Sequence, residues 1–305
     1  MILAGDVGGT TTRLALFGED LRKPLAFETF ASAEHAGLEE IVRRFVAENP
    51  ADVTRASVGV AGPVHDGRTE AVNLAWPVDS VPLAEALGLP SVVLMNDLEA
   101  NAYGIAALGP GDTAVLNRGD SETGATTAVI SAGTGLGEAI VLHVADSSRV
   151  IASEGGHVDF APRSNVEVEL WHFLHARHPH VSYERACSGM GLANIYHFLS
   201  GRDKDPTAIT DSALEQTDAV AVRALELMVS IYGAQAANLA LTVLATGGVY
   251  LGGGIPPKIL PFLEDGFMRA FVTKGRFSEL LERIPVHVIL NELTALLGAA
   301  LRAQV

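Results

Sequence analysis

The alternation of apolar and polar positions divides the chain into short strands and helices joined by glycine-rich turns. Residues 2–17 and 127–141 each contain an apolar run, a Gly-Thr turn and a second apolar run, a pattern that is typical of a β-hairpin. Residues 57–61 and 91–95 are apolar segments with the length of a buried strand. The hairpins lie about half a chain apart, and they therefore predict two domains of similar plan.

Helical periodicity appears between and after these strands. It covers residues 42–48, 98–108, 213–245 (as two helices) and 293–303. Strands that alternate with helices are typical of the α/β class. Residues 108–125 are instead rich in Gly, Asp, Thr and Ser, and we place the domain crossing there. The expected division is a small α/β domain of residues 1–107 plus 295–305 and a large α/β domain of residues 108–294.

Composition and charge narrow the classes of function. The chain has 305 residues, of which 48% are apolar and 19% are charged, values that are ordinary for a folded globular protein. Its formal net charge of −15 opposes non-specific binding to nucleic acid and to anionic membranes. We therefore expect neither partner, and any phosphate site must depend on local donors and a metal ion.

Three features favour a cytoplasmic protein. Cys187 is the only cysteine, which excludes an intrachain disulfide and a cysteine-based zinc cluster and fits a reducing compartment. The first residues lack the basic and long apolar regions of a secretion signal. The most apolar long stretch, residues 234–255, is interrupted by polar side chains and glycines, so it predicts a buried helix followed by a strand.

The turn of the first hairpin, residues 6–10 (Asp-Val-Gly-Gly-Thr), is a candidate phosphate site. Glycines permit a tight turn in which backbone N–H groups converge on an anion. Asp6 supplies a carboxylate suited to Mg²⁺, directly or through water, and Thr10 and Thr11 add hydroxyl groups. The alternative interpretation is a plain hairpin turn with glycine at positive φ.

Two further glycine segments favour nucleotide binding. Residues 133–137 (Gly-Thr-Gly-Leu-Gly) form the turn of the second hairpin, so two Gly-Thr turns can hold phosphates from two domains. Residues 247–254 suit an adenine site, because backbone without side chains lets a flat base approach. The two common nucleotide motifs, G-x-x-x-x-G-K-[ST] and G-x-G-x-x-G, do not occur in the sequence.

Asn96 and Asp97 follow an apolar strand and precede a helix. Residues just beyond the carboxyl ends of strands face the ligand crevice in α/β sheets, so Asp97 is a candidate base for a hydroxyl nucleophile. Phosphoryl transfer requires little more from the protein than positioning, charge neutralisation and such a base. The competing interpretation is that Asp97 only caps the helix that begins at Leu98.

Candidate sugar contacts surround a Gly-Gly pair in residues 153–160. Glu154 and His157 flank this pair, so both side chains can project from one turn. Together with Asn96 and Asp97 they supply the paired donors and acceptors that vicinal hydroxyl groups require.

Two other groups leave alternatives open. Glu184 either faces the sugar or only pairs with Arg185, and the local sequence does not decide between these roles. His172 and His175 share a helix face, but they lack acidic ligands nearby and are weak candidates for a metal site.

Taken together, these segments resemble the bacterial glucokinase family. The matching segments occur in the family's order and cover nearly the whole chain: residues 6–10, 59–64, 73–77, 96–97, 133–137, 154–160, 184–185 and 251–255. Residues 73–77 (Asn-Leu-Ala-Trp-Pro) and 154–160 (Glu-Gly-Gly-His-Val-Asp-Phe) are the most specific, whereas the first turn alone is shared by many sugar kinases.

The resemblance implies a fold and a reaction. The implied fold is α/β, a two-domain actin-like ATPase (ribonuclease H-like) fold with an interdomain cleft. The implied enzyme is a glucokinase, a hexose phosphotransferase that uses Mg-ATP to convert D-glucose to glucose 6-phosphate and ADP, the first step of glycolysis. A homodimer is the usual assembly in the family.

The resemblance also implies roles for individual residues. Asp97 is the implied catalytic base. Glucose contacts are implied for Asn96, Asp97, Glu154, His157 and Glu184. ATP contacts are implied for Asp6, Val7, Gly8, Gly9, Thr10, Thr11, Gly133, Thr134, Gly135, Gly252 and Gly253, with Asp6 also at the magnesium ion.

One departure and three competing classes bear on this interpretation. Thr11 stands where relatives often carry Asn, which alters a phosphate-side contact but not its polarity. The related repressor/open-reading-frame/kinase family carries a Cys-rich zinc motif after its Glu-x-Gly-His segment, and this chain has none. A sugar-responsive repressor would carry a helix-turn-helix, which we do not expect before Asp6. A kinase of another hexose is the remaining alternative, and a substrate panel separates it from a glucokinase.

Overall fold

The computed structural model describes residues 1–69, 76–144 and 147–304. Residues 73–75, which belong to one of the segments that resemble glucokinase, lie outside the described residues. Backbone packing divides the chain into two compact units: unit 1 contains Met1–Asp112 and Asn291–Val305, and unit 2 contains Thr113–Leu290.

Strands and helices alternate along most of the chain. The strands are β1 (Ile2–Val7), β2 (Thr11–Phe17), β3 (Ala26–Ala31), β4 (Arg55–Val60), β5 (Arg68–Thr69), β6 (Val78–Asp79), β7 (Val93–Asn96), β8 (Thr113–Asn117), β9 (Thr127–Ala132), β10 (Leu136–Val144), β11 (Ser147–Ser153), β12 (Gly248–Gly252) and β13 (Val286–Ile289). The helices are α1 (Leu38–Glu48), α2 (Ser80–Leu87), α3 (Asp97–Gly104), α4 (Asn165–His175), α5 (Gly189–Ser200), α6 (Pro206–Leu214), α7 (Ala219–Val243), α8 (Leu260–Phe262), α9 (Met268–Val272), α10 (Ser278–Glu282) and α11 (Thr294–Arg302). Short 3-10 turns lie at Ser32–Glu34, Ile105–Ala107, Gly155–His157, Tyr183–Arg185 and Gly275–Phe277, and a π turn lies at Leu263–Phe267.

The described part of unit 1 contains a five-stranded sheet in the order β3-β2-β1-β4-β7. β1 pairs antiparallel with β2 and parallel with β4, and β4 pairs parallel with β7. Side chains of β1 alternate between the two faces. Leu3 and Val7 join the core that contains α1 and α2, whereas Ile2 and Ala4 join the core that contains α11. Because both faces are covered, β1 is apolar over most of its length.

The sheet of unit 2, in the described residues, has the order β11-β10-β9-β12-β13-β8. β9 pairs antiparallel with β10 and parallel with β12, and β12 pairs parallel with β13. This sequence of pairings is that of unit 1, with β8 added antiparallel at one edge. The two predicted hairpins are therefore present, and they occupy equivalent places in their sheets.

Helix α7 runs through the core of unit 2. Its N-cap residue is Asp218, whose carboxylate accepts hydrogen bonds from the N–H groups of Val220 and Ala221 at 2.9 and 3.2 Å. The two helices predicted within residues 213–245 are instead the end of α6 and the single helix α7, because this cap starts a new helix that then continues without a break. By length and apolar composition alone α7 could span a membrane, but 72% of its most apolar window is buried, as expected of a core helix.

Strand β8 is an addition to the predicted elements, because it lies in residues 108–125, where we placed only the domain crossing. It pairs with β13 at the edge of the sheet, and Val115 at its centre is 51% exposed. An edge strand with exposed side chains has no strong alternation of apolar and polar residues, so the sequence pattern gives little sign of it.

Helices α3 and α11 approach closely where both lack side chains. A Cβ atom at Gly298 would overlap the carbonyl oxygen of Ala100 and lie 2.5 Å from the amide nitrogen of Gly104. A Cβ atom at Gly104 would overlap the carbonyl oxygen of Thr294. The crossing therefore requires glycine at both positions, and it fixes the helix that begins with Asp97.

We predict that Gly298→Ala lowers the melting temperature by at least about 3 °C, because the methyl group forces the two helices apart. Alanine is otherwise the better helix former by roughly 0.5–1 kcal/mol, so the sign of the change is informative. Gly109→Ala is the control, since its Cβ atom would meet only the Asp112 carboxylate at 3.7 Å. Equal melting temperatures for both variants, measured by circular dichroism, would contradict the packing argument.

Candidate functional site

The first glycine turn of unit 1 is held by a side chain from a distant segment. The Ser32 hydroxyl donates to the carbonyl oxygen of Gly8 at 2.8 Å and lies 3.0 Å from the Thr12 hydroxyl. The Trp76 indole N–H donates to the Ser32 carbonyl oxygen at 3.3 Å. Trp76 belongs to one of the two segments that resemble glucokinase most specifically, and its hydrogen bond supports Ser32, the residue that holds the turn.

The glycines of this turn do not have the positive φ that the alternative interpretation, a plain hairpin turn, assumes. Gly8 and Gly9 are not among the described glycines with positive φ, and neither are Gly133 and Gly135 of the second turn. Thr10 and Thr134, at the tips of the two turns, are exposed. The absence of side chains thus leaves the backbone of both turns accessible.

Asp6 lies at the end of β1, one residue before Val7 and the turn. Its carboxylate is 3.4 Å from the Arg13 guanidinium, and its side chain is 18% exposed. Burial raises the pKa of Asp6, and the positive charge of Arg13 opposes that rise. Asp6 is therefore a largely dehydrated carboxylate beside the candidate phosphate turn.

Asn96, not Asp97, caps helix α3. The Asn96 side-chain oxygen accepts from the N–H groups of Leu98 and Glu99 at 2.9 and 3.3 Å, and its amide donates to the Gly62 carbonyl oxygen at 3.0 Å. Asp97 is the first helical residue, and its carboxylate accepts from the Leu98 N–H at 2.9 Å. The competing interpretation of Asp97 as a mere cap is therefore wrong. Hydrogen bonds within the protein already use the Asn96 side-chain oxygen and one of its amide hydrogens.

Asp97 sits where the backbone packs closely on the sheet. A Cβ atom at Gly59 would lie 3.5 Å from the Asp97 Cα atom and 2.8 Å from the Ala100 Cβ atom, so only glycine lets α3 begin against β4. Burial raises the pKa of Asp97 to about 6; the Leu98 N–H opposes that rise and the nearby Asp6 charge adds to it. A carboxyl group with a pKa near 6 is ionised at neutral pH and is a stronger base than an ordinary aspartate.

The second glycine turn, in unit 2, is held by Glu184. The Glu184 carboxylate accepts from the Leu136 N–H at 3.0 Å, and a Cβ atom at Gly135 would lie 2.5 Å from the same carboxylate oxygen. Among the described residues, Glu184 makes no ion pair with Arg185, whose guanidinium contacts the Met190 sulfur atom instead. The structure thus places Glu184 at the base of the turn, and the pairing alternative is wrong.

Glu154 precedes a 3-10 turn in unit 2 and His157 ends it, so both side chains project from one turn, as the sequence predicted. Their side chains are 80% and 56% exposed, and the Glu154 carboxylate is 3.8 Å from the His157 imidazole. A Cβ atom at Gly156 would overlap the Leu136 carbonyl oxygen, which brings this turn against the start of β10. Glu154, His157 and Glu184 therefore all lie near one end of β10.

The third glycine segment packs on the end of β9. Gly253 has a φ of 87°, and a Cβ atom there would overlap the Ala132 carbonyl oxygen. Gly252 pairs with Ser131 across the sheet. Gly252 and Gly253 thus lie beside the second turn, where strands β9 and β12 of unit 2 end.

The histidine cluster has another explanation. His175 stacks on Trp171, with ring centroids 4.6 Å apart, and His172 packs against the edge of the same ring at 5.3 Å. Among the described residues, no group of three His, Cys, Asp or Glu side chains could hold a metal ion.

Sequence reasoning missed a buried carboxyl group behind the Glu154–His157 turn. Glu138 is 2% exposed and accepts from the Gln235 amide at 2.7 Å, and burial raises its pKa. Glu138 stands in a largely apolar strand, and Gln235 stands between alanines in a largely apolar helix. A polar residue in an apolar run was the only available signal, and it does not name its partner.

Comparison with known proteins gives consistent results over the whole chain. A protein-family model of glucokinase matches residues 3–305. A glucokinase from Synechocystis sp. is 40% identical, with 99% of this chain and 97% of the relative covered. The crystal structure of glucokinase from an Antarctic psychrotroph superposes with a TM-score of 0.89 at 30% identity, covering 99% and 98% of the two chains. A ROK family glucokinase from Streptomyces griseus, solved with glucose and AMPPNP, has a TM-score of 0.70 at 23% identity over 99% of both chains, and it shows the shared fold alone.

We predict that Asp97→Asn stabilises the protein at neutral and higher pH. The pKa of Asp97 is about 6 in the folded state against 3.8 for an unperturbed aspartate, so its stabilising contribution is present below about pH 4 and is lost as the pH rises through 6. Asparagine resembles the protonated carboxyl group and escapes that loss. The gain should be about 1–3 kcal/mol at pH 8 and should shrink by about half at pH 5.

Thermal denaturation between pH 5 and pH 8 measures this difference. Asp52→Asn, at an exposed position of the same unit, is the control and should follow the wild type throughout. A gain for Asp97→Asn that is the same at both ends of the pH range would show that burial does not perturb this carboxyl group.

Proposed function

The chain belongs to the glucokinase family and has its α/β actin-like ATPase fold, and from this premise we propose that it transfers the γ-phosphoryl group of ATP to the 6-hydroxyl of glucose, with Asp97 as the base. The products are glucose 6-phosphate and ADP. Membership of the family supports phosphate transfer to glucose and the use of ATP. The observation that carries the mechanism is the partly buried carboxyl group of Asp97, which accepts from the Leu98 N–H while Asn96 occupies the N-cap position of α3.

The proposed step needs a base because a protonated hydroxyl group is a poor nucleophile. The Asp97 carboxylate takes the proton of the glucose 6-hydroxyl while the new O–P bond forms and the bond between the γ-phosphorus and the ADP oxygen breaks. With a pKa of about 6, the carboxylate is ionised at pH 7 and basic enough to share the proton in the transition state.

The phosphate contacts come from the two glycine turns. We propose that residues 6–11 and 133–135 present backbone N–H and threonine hydroxyl groups to the phosphates, and that Gly252 and Gly253 lie against the adenosine. Each turn is fixed by a hydrogen bond to a side chain, Ser32 for the first turn and Glu184 for the second. The shape of the turns therefore does not depend on the ligand. Preformed donors stabilise developing charge without reorganisation.

Magnesium fits the carboxyl groups of unit 1. Asp6 and Asp97 are oxygen donors whose mutual repulsion helps to raise the pKa of Asp97, and a divalent cation would relieve that repulsion. We propose that Asp6 holds the ion, directly or through water, while phosphates and waters supply its other ligands. Bound there, the ion would neutralise phosphate charge.

Glucose is held, in this proposal, by Asn96, Asp97, Glu154, His157 and Glu184. The exposed side chains of Glu154 and His157 offer an acceptor and a donor 3.8 Å apart, a spacing that suits adjacent hydroxyl groups. Asn96 has one amide hydrogen left after its bond to Gly62, so it contributes at most one donor.

Resemblance to the family also supports proposals about the domains, the cellular location, the assembly and the metabolic step. We propose that units 1 and 2 are the small and large domains, that the protein is a cytoplasmic homodimer, and that the reaction opens glycolysis. The single cysteine, which is buried and unpaired, is compatible with a reducing compartment.

The decisive experiment compares the wild type with Asp97→Asn in a coupled assay with Mg-ATP and glucose. We predict that the variant loses about 10²–10⁴ in kcat because it cannot accept the proton, while glucose affinity in calorimetry changes less than tenfold. The kcat/KM of the wild type should fall about tenfold per pH unit below pH 6, as Asp97 becomes protonated. A variant that retains more than about a tenth of the wild-type kcat would exclude Asp97 as the base.

Gly133→Ala and Gly135→Ala form a matched pair in the second turn. We predict that Gly135→Ala raises the KM for glucose about tenfold, because its methyl group would lie 2.5 Å from the Glu184 carboxylate and displace it. A Cβ atom at Gly133 would meet no atom within 4 Å, so that variant should keep its melting temperature and raise the KM for ATP instead. Steady-state kinetics with each substrate varied separately would contradict this assignment if both variants affected the same KM.

A further inference from the structure

We propose that Gln235 and Asn238 are positioning residues: from inside the core of unit 2 they fix the two turns that carry the proposed glucose contacts. This inference rests on the proposed function, since it concerns the roles of Glu154, His157 and Glu184. It adds two residues that touch no substrate and that lie on helix α7.

Contacts run from Glu138 through Gln235 and Asn238 to Tyr183, and we call this series of contacts the link. One end of the link supports the Glu154–His157 turn. The Glu138 carboxyl group is buried, and one of its oxygens accepts from the Gln235 amide at 2.7 Å. Its other oxygen lies where a Cβ atom of Gly155 would be, so it packs directly against the backbone of the turn. Glu138 also pairs with Ser153, whose hydroxyl accepts from the Gly155 N–H at 3.0 Å. The orientation of Glu138 therefore sets the place of the turn.

The middle of the link is a pair of amides on one face of α7. Residues three apart in a helix are neighbours on its surface. The Asn238 amide donates to the Gln235 side-chain oxygen at 3.0 Å, and the Lys274 ammonium donates to the Asn238 side-chain oxygen. Every amide oxygen and nitrogen of the pair thus has at least one partner, and a satisfied polar network specifies one arrangement of the groups that it joins.

The other end supports Glu184. The Asn238 amide donates to the Tyr183 hydroxyl at 2.9 Å, and Tyr183 immediately precedes Glu184. The Tyr183 ring is buried against Phe160, with ring centroids 5.5 Å apart. The backbone N–H of Tyr183 donates to the Val158 carbonyl oxygen at 3.1 Å. Tyr183 therefore contacts the segment that follows His157 through its ring and backbone N–H, and its hydroxyl joins that segment and the one that carries Glu184 to Asn238.

Loss of this link should affect geometry as well as folding. Removal of one partner leaves the other buried polar group unsatisfied, which lowers stability, so glucose binding and melting temperature must be measured separately. Misplacement of a binding group by about 1 Å can cost up to roughly a hundredfold in activity. Loss of the link should therefore weaken glucose binding.

Two variants test the proposal. Tyr183→Phe removes the hydroxyl and keeps the ring, and Gln235→Met removes the amide at nearly constant length. We expect the KM for glucose to rise about 3–10-fold in Tyr183→Phe and at least about tenfold in Gln235→Met. The KM for ATP should stay within about twofold, and the dissociation constant for glucose, measured by calorimetry without ATP, should rise in parallel.

Tyr196→Phe is the matched control. It removes another hydroxyl of unit 2 that is bonded at 2.9 Å to a side chain, Asp218, and it should leave the KM for glucose unchanged whatever its effect on melting temperature. A lowered melting temperature for Tyr183→Phe with a wild-type KM for glucose would overturn the proposal, and so would equal changes in both KM values. Failure of the wild type to phosphorylate glucose would instead refute the proposed function. Tyr183→Phe decides alone if Gln235→Met does not fold.

Discussion

The close approach of helix α3 to strand β4 is the constraint on which the place of Asp97 in unit 1 depends. Because α3 begins directly against β4, the Asp97 carboxyl group is partly buried, and burial raises its pKa. That close approach requires glycine at position 59 on one side and the crossing with α11 on the other. A carboxylate held out of water lowers stability at neutral pH, and the apolar cores on both faces of the sheet must offset that loss.

The sequence pattern predicted the elements that carry the site, because these elements bury one or both faces. The hairpins β1–β2 and β9–β10 appear within a few residues of their predicted limits, and β7 ends at Asn96 as expected. The competing interpretation named Asp97 as the cap, one position beyond the residue that caps the helix. Asn and Asp cap helices almost equally well, so the choice between Asn96 and Asp97 depends on where the helix starts, and three-dimensional packing decides that.

Contacts between distant residues could not be predicted from one sequence. Glu138 and Gln235 are 97 positions apart, and neither residue indicates its partner. The role of Glu184 was left open for a related reason: its partner is the backbone N–H of Leu136, and a backbone donor has no sequence signature. Strand β8 shows the same limit for a whole element, since an edge strand with exposed side chains resembles a loop.

The two units use the same device to shape a glycine turn. In unit 1 the Ser32 hydroxyl bonds to the Gly8 carbonyl oxygen, and in unit 2 the Glu184 carboxylate bonds to the Leu136 N–H. Each bond joins the turn to a segment far along the chain, so the turn acquires its shape when the unit folds. The entropy of ordering the turn is then lost on folding rather than on substrate binding, which leaves more of the binding energy for the transition state. Glu184 serves both the turn and, in our proposal, glucose, and this shared side chain gives unit 2 a direct physical connection between its two proposed substrate contacts.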